Sequence, residues 1–246
     1  MSLQFICTKW GQKYPASEVN RLWQALARVQ STPFTLTCVT DHAEGVRPEV
    51  RVLPLPDLPV IGNQVMTRGW RKLTLFAPEL REVLSGPTLY LDLDVVLLRP
   101  LDDFFGVDPA FAVIKDYKLF RYRHPWTGNT SVFFYDASRD YGVYPRLLTL
   151  GEAVQQRYRN EQEFLSDVMR AQGLLRYWPR GWCASWKHDC VPALPMSLWR
   201  TPQPPPQARV LVFHGRPKPE EAVLGVGAKW FRPMRPAPWL APLLNE

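Results

Sequence analysis

Three features of the 246-residue sequence predict an α/β fold with a mainly parallel central sheet. The first is a strand–helix–strand pattern at the start of the chain, the signature of a βαβ unit. The second is the run Thr88-Leu-Tyr-Leu-Asp-Leu-Asp-Val-Val-Leu-Leu-Arg-Pro100, apolar except for Asp92, Asp94 and Arg99 and preceded by Gly86-Pro87. Such a run reads as a strand buried on both faces, as in parallel sheets. The third is that polar clusters fall where strands end, and open α/β sheets bind ligands at the carboxyl ends of their strands. Length and composition (46% hydrophobic, 22% charged) suit one domain with a large core, residues 1–246.

Taken in order, Leu3–Thr8 is an apolar strand followed by a polar-aromatic loop. Ser17 suits a helix cap, with Val19, Leu22, Trp23, Leu26 and Val29 at helical spacing. Phe34–Thr40 is a second strand, Arg51–Leu53 a short third, and a Pro-rich link runs through Pro59. Trp70–Phe76 reads as a helix that stops before Pro78, ahead of the strand carrying Asp92 and Asp94. Phe111–Ile114 and Ser131–Tyr135 are further strands, and Tyr144–Leu150 and Asn160–Ala171 are helices. Asn160 with Glu163 has capping-box spacing. Leu174–Trp178 and Arg209–His214 are late strands. The 25 prolines and 10 tryptophans thicken after about residue 178, which predicts loop-rich sequence and a tail there.

The balance of 30 Lys+Arg against 23 Asp+Glu gives a net charge of +7. The bases are scattered and no nucleic-acid motif accompanies them, so phosphates in a cleft or an acidic surface fit better than nucleic acid. Cys7, Cys38, Cys183 and Cys190 are few and widely placed, without the short paired spacing of a zinc site. With no secretory signal and no membrane-length apolar segment, a cytoplasmic location is expected. The tail from Lys229 to Leu244 mixes bases and aromatics; it suits either packing back on the domain or peripheral contact with an anionic membrane at its inner face.

Alternation along a strand puts Asp92 and Asp94 on one side, and two adjacent carboxylates call for a cation. Hard oxygen ligands suit Mn²⁺ or Mg²⁺, with room left for substrate phosphates. The competing reading is a solvated loop start. Three other polar clusters fall at strand ends: Thr8 to Gln12, Asp41-His42, and His214-Gly215-Arg-Pro-Lys218. Together they suggest a nucleotide-type ligand with its diphosphate on a metal. Neither G-x-x-x-x-G-K nor G-x-G-x-x-G occurs, which weakens P-loop and dinucleotide readings.

At these residues the sequence resembles GT-A glycosyltransferases of the family 8 type and allied bacterial enzymes. Tyr90-Leu-Asp92-Leu-Asp94-Val-Val followed by Leu101-Asp-Asp-Phe104-Phe105 is similar to their "YLDxDxxxxxxLxxLF" segment. Lys72-Leu73 resembles the helix that faces the donor, and Gly128-Asn129-Thr-Ser131-Val-Phe-Phe the "N-S-G-V" strand. Glu161-Gln162-x-x-Leu165 resembles a "D-Q-x-x-L" helix start, and Gly215-x-x-Lys218-Pro219 the "G-x-x-K-P" phosphate loop. The pattern differs where His214 touches Gly215 directly instead of preceding it by three positions, and where Glu220 replaces an aromatic residue.

The resemblance implies a GT-A-like, Rossmann-like domain and a metal-dependent transfer from a nucleotide-sugar, most naturally a UDP-sugar, to a saccharide, lipid-linked or other acceptor, with retention. It implies Asp92, Asp94 and His214 as metal ligands. Lys72, Gly215 and Lys218 would face the donor phosphates, with Thr8 and Asp41 near the base. Asn129 and Gln162 would meet sugar hydroxyls, and Glu161 the donor or acceptor. Each has a plainer alternative: a structural histidine at 214, a solvated loop lysine at 218, a helix-flanking lysine at 72, turn chemistry at Asn129 and N-terminal capping at Glu161.

Two other classes compete. A nucleotidyltransferase or phosphohydrolase would use the Asp pair with further carboxylates, for which Asp102 and Asp103 are at hand; a non-catalytic nucleotide-sugar or glycan binding module would keep the fold without turnover. The aromatic stretch Tyr177–His188 suits an acceptor platform or a Trp-rich core under long loops.

Overall fold

The computed structural model describes residues 2–58, 69–106, 110–117, 124–228 and 232–244. The opening unit is β1 (Leu3–Lys9), α1 (Ala16–Val29) and β2 (Phe34–Thr40), with β1 and β2 parallel from Leu3↔Phe34 to Lys9↔Thr40. Helix α1 buries Val19, Leu22, Ala25 and Leu26 along one stripe. Ser17 does not cap it: extended Pro15 precedes the helix, no side chain caps it, and Ser17 lies in the first turn. β3 (Arg51–Pro54) pairs parallel with β2. The Pro-rich link reaches Pro59, which lies outside the described residues.

Trp70–Phe76 is helical as expected but wound as a tight 3-10 helix, and it ends before Pro78. Pro78 then opens a second, unforeseen helix, α2 (Pro78–Val83); a proline is tolerated at that first position because its N–H would have no partner there. The run from Thr88 is not one strand. β4 (Pro87–Leu91) stops before Asp92, and β5 (Val95–Leu97) belongs to a different sheet. Both halves are apolar because both are buried, so hydropathy alone does not show the corner between them.

The remaining elements are β6 (Phe111–Lys115), β7 (Gly128–Asp136), α3 (Val143–Leu150), α4 (Ala153–Arg157), α5 (Glu161–Ala171) and β8 (Arg176–Tyr177). After them come β9 (Cys183–Ser185), β10 (Val210–Val212), α6 (Pro219–Leu224) and α7 (Ala241–Leu244). Asn160 caps α5 by accepting the Glu163 N–H at 3.2 Å, but the Glu163 carboxylate accepts from the Arg159 N–H instead of closing the box on Asn160.

The large sheet runs β3-β2-β1-β4-β7-β6-β8, with β4 at its centre. β7 is antiparallel to both its neighbours and the other pairings are parallel, so the sheet is mixed and mainly parallel. A small sheet, β5-β10-β9, packs on one face. On the opposite face, Ile6, Tyr90, Val113 and Phe133 meet Leu147 of α3 and Phe164 and Leu165 of α5. Between the sheets, Phe5, Leu89, Leu91 and Phe134 meet α1 together with Val95, Val210 and Val212. Beyond the small sheet, Met234, Ala237 and Leu240 of the tail pack with Trp186 and Leu211.

The described part of the tail, 232–244, therefore packs back on the body; Lys229, Trp230 and Phe231 lie outside the described residues. Trp178 is buried and Trp182 partly so against Phe104 and each other, and Trp186 is buried against Phe213 and Trp239, which makes them core and not an acceptor platform. All four cysteines are free and buried. No helix among the described residues is long and apolar enough to cross a membrane.

Candidate active site

β1, β2 and β4 are neighbours running the same way, so Lys9, Thr40 and Leu91 finish on one edge of the sheet. Asp92 follows directly, its N–H donating to Ser131 O at 2.8 Å. Tyr90, two residues earlier, donates its hydroxyl to Asp92 Oδ1 at 2.7 Å and lies 3.0 Å from Thr8 Oγ1. Lys72 Nζ lies 2.8 Å from the same Asp92 oxygen, and it donates to Thr130 O at 3.0 Å and Thr130 Oγ1 at 3.4 Å. An ammonium buried this fully persists only with a partner charge and satisfied donors, and Asp92 with Thr130 supplies both.

The Thr130 carbonyl is available because β7 is irregular there. The pairing jumps from Val113↔Phe133 to Ile114↔Asn129, leaving Thr130–Val132 unmatched on β6. Bulges of this kind re-aim groups beside sites. Gly128 is required just before it, since a Cβ there would stand 2.4 Å from Val113 Cγ1.

Asp94 has a second, more open set of partners. Tyr14 donates its hydroxyl to Asp94 Oδ2 at 3.2 Å, and Lys218 Nζ is 3.2 Å from the same oxygen. Burial, then the neighbouring Asp92, pushes the Asp94 carboxyl above its ordinary range, and Lys218 opposes the shift. Lys218 is positioned by a return segment. Gly215 makes a left-handed turn at φ +69°, Pro219 opens α6, and the Lys218 N–H donates to Glu221 Oε2 at 2.8 Å. Glu220 pairs with Arg21 at 2.8 Å.

His214 is held neutral: burial, then Lys187 and His188, lowers its imidazole to about 4. Its Nδ1 is 3.5 Å from Asn129 Nδ2, and its Nε2 is buried without a hydrogen-bond partner. Asn129 Oδ1 accepts from the Ser131 N–H at 2.9 Å. Burial pushes the Glu161 carboxyl up to about 7 against the pull of Lys72, and its Oε2 is buried and unpartnered. Gly69, at φ +86°, passes so close that a Cβ would lie 3.1 Å from Glu161 Oε1. Gln162 is half-buried in the first turn of α5. Asp41 faces solvent, accepts from the Gly11 N–H at 3.1 Å and pairs with Arg71 at 3.2 Å.

Asp92, Asp94, Lys72 and Lys218 thus form one contiguous group, joined through Thr130 to Glu161 and through Asn129 to His214. Thr8 is buried in the wall with its hydroxyl on Tyr90, and Asp41 lies apart, engaged by Arg71 and Gly11. Asp102 and Asp103 do not join: Thr32 donates to the first and Arg209 pairs with the second. Among the described residues there is no cluster of three metal-ligating side chains. The donor set of two carboxylates and a neutral imidazole with an orphaned nitrogen still suits a divalent ion in its chemistry.

Sequence reasoning missed Tyr14, Tyr90 as a partner of Asp92, and Thr130. The period-two spacing of Tyr90 and Asp92 was a usable signal; nothing local marks Tyr14 or Thr130.

No protein-family model matches the sequence, and no curated protein aligns with it. Solved structures do share its fold. A galactosyltransferase, LgtC, in complex with donor and acceptor sugar analogs superposes at TM-score 0.58 with 12% identity, over 88% of this chain and 89% of that one. The apo form of the glycosyltransferase GlyE from Streptococcus pneumoniae TIGR4 gives 0.59 at 14%, over 89% and 56%. Mouse xyloside xylosyltransferase 1 gives 0.53 at 12%, over 88% and 98%. The likeness is one of fold, and that fold is the GT-A-like architecture that the motifs implied.

Proposed function

We propose that the chain is a metal-dependent glycosyltransferase that moves a sugar from a nucleotide-sugar, a UDP-sugar first among them, to a saccharide or lipid-linked acceptor with retention. The observation that carries this reading is the Asp92–Asp94 corner at the carboxyl end of the central strand, with one lysine on each carboxylate. The fold shared with the galactosyltransferase and the xylosyltransferase supports it.

Asp92 and Asp94, with His214 through its free Nε2, would hold Mn²⁺ or Mg²⁺, which when bound would supply Lewis acidity to the leaving diphosphate. The chain's own groups do the rest. Lys218 sits 3.2 Å from Asp94 and is 38% exposed, so it can leave that carboxylate for a phosphate oxygen whose charge grows as the glycosidic bond breaks. Lys72 is buried and stays with Asp92, holding that carboxylate in place. Asn129 and Gln162 would meet sugar hydroxyls, and Glu161 the donor or acceptor. The nucleotidyltransferase alternative loses its extra carboxylates, because Asp102 and Asp103 are engaged elsewhere.

The test is a thermal-shift series with nucleoside diphosphates, with and without Mn²⁺. Wild type should show a shift that needs both uridine diphosphate and metal, and Asp94→Asn should lose it while remaining folded. An Asp94→Asn protein that binds and turns over like wild type would refute the assignment. Lys218→Ala should lower turnover more than donor affinity, by about 2–4 kcal/mol in the barrier.

A further inference from the structure

A cavity of about 180 Å³ opens against the return segment that carries Lys218. Lys218 reaches Asp94, whereas Arg216 and Pro217 line the cavity. Three cationic side chains, Lys187, Arg216 and Arg232, stand around it with His188, and Val191 and Met234 form a buried apolar floor. None of its described lining residues carries a carboxylate. Lys187 donates to His214 O and Arg232 to Lys187 O, whereas Arg216 forms an ion pair with Glu221 Oε1 at 3.4 Å. The described lining thus brings three cationic side chains together, and the one carboxylate found against them is Glu221, on Arg216.

Cations over an apolar floor fit a molecule with an anionic group joined to a hydrocarbon-like part. Through the His214 carbonyl and Arg216 the cavity shares a wall with the candidate active site. We propose that it receives the anionic group of the acceptor, a phosphate or a carboxylate, with the acceptor's apolar part on Val191 and Met234. The inference rests on the glycosyltransferase reading for the word acceptor; the anion site itself stands on the cavity.

Calorimetric titration of the whole chain with octyl phosphate, octanoate and neutral octyl glucoside, all below micelle formation, tests it. The two charged probes separate phosphate from carboxylate recognition. At least one should bind wild type, octyl glucoside should not, and Arg216→Gln and Arg232→Gln should each weaken binding by about tenfold or more. Both variants should keep the metal-dependent uridine diphosphate shift. Arg216 is exposed, so its variant remains informative if Arg232→Gln, which loses a brace on Lys187, melts early. Equal binding of the neutral probe, or no effect of either substitution, overturns the proposal. So does displacement of the anionic probe by uridine diphosphate with Mn²⁺, which would give these cations to the donor. Anionic probe binding in a protein with no nucleotide response keeps the anion site but overturns its acceptor role, and marks the failure as that of the glycosyltransferase reading.

Discussion

Asp92 and Asp94 are two residues apart, and each has a lysine and a tyrosine of its own. On the Asp92 side, the Lys72 side chain is 6% exposed and Tyr90 is sealed between β1 and β7. On the Asp94 side, the Lys218 side chain is 38% exposed and Tyr14 comes from the loop after β1. The difference follows from which sheet supplies the partner. Lys72 and Tyr90 pack on the large sheet, where a charge must be paired to stay; Lys218 comes from a return segment beyond the small sheet, where water competes for it. One carboxylate is thereby built as a fixed post and the other as an exchangeable one.

Breaking the buried pair should have the largest effect. Lys72→Ala strands Asp92 against the sheet and should lower unfolding free energy by about 3–5 kcal/mol in urea titration; a loss no larger than that of Lys218→Ala would erase the distinction. Next comes Glu161, which shares the buried side. Its folded carboxyl, near 7, lies above its unfolded value, so the folded state holds the proton more tightly. Stability should therefore fall as pH rises from about 4.5 to 7. Glu161→Gln removes that cost and should stabilise the protein on the order of 2–3 kcal/mol at pH 8 but not at pH 4.5. Parallel melts of the two proteins at both pH values decide it, and an equal difference at each would show that Glu161 ionises freely. Tyr90→Phe should cost about 1–2 kcal/mol, more than Tyr14→Phe, because it removes a buried donor from Asp92 and the acceptor of the Thr8 hydroxyl together. Lys218→Ala should change stability least, within about 1 kcal/mol, although it changes turnover.

Much of this was legible in the sequence, for reasons that particular residues make plain. Leu3–Thr8, Phe34–Thr40 and Thr88–Leu91 are apolar runs of strand length, and burial on both faces of a mainly parallel sheet produces that pattern. Asp92 and Asp94 stood out because carboxylates interrupt such a run. Val95–Leu97 was read as the same strand because a change of sheet leaves hydropathy untouched. The pairing of Lys72 with Asp92, the closure of Gly69 over Glu161 and the approach of Tyr14 to Asp94 depend on contacts 20, 92 and 80 residues apart along the chain, which no local pattern carries. Ser17 was expected to cap α1 from propensity alone, and Pro15 had already settled the helix start.

The irregular stretch of β7 bears on how this protein can diverge. Loop lengths around a sheet drift readily because little depends on them. The crossing of Gly128 over Val113 is different: a β-branched side chain in the core has few rotamers with which to retreat, and any residue larger than glycine would lift the strand. Lifting it would move the Thr130 carbonyl from Lys72, and Lys72 from Asp92. A position with no chemistry of its own thus becomes as intolerant of change as the acid it serves. In a lineage of such sequences, Gly128 and Lys72 should be lost or kept together.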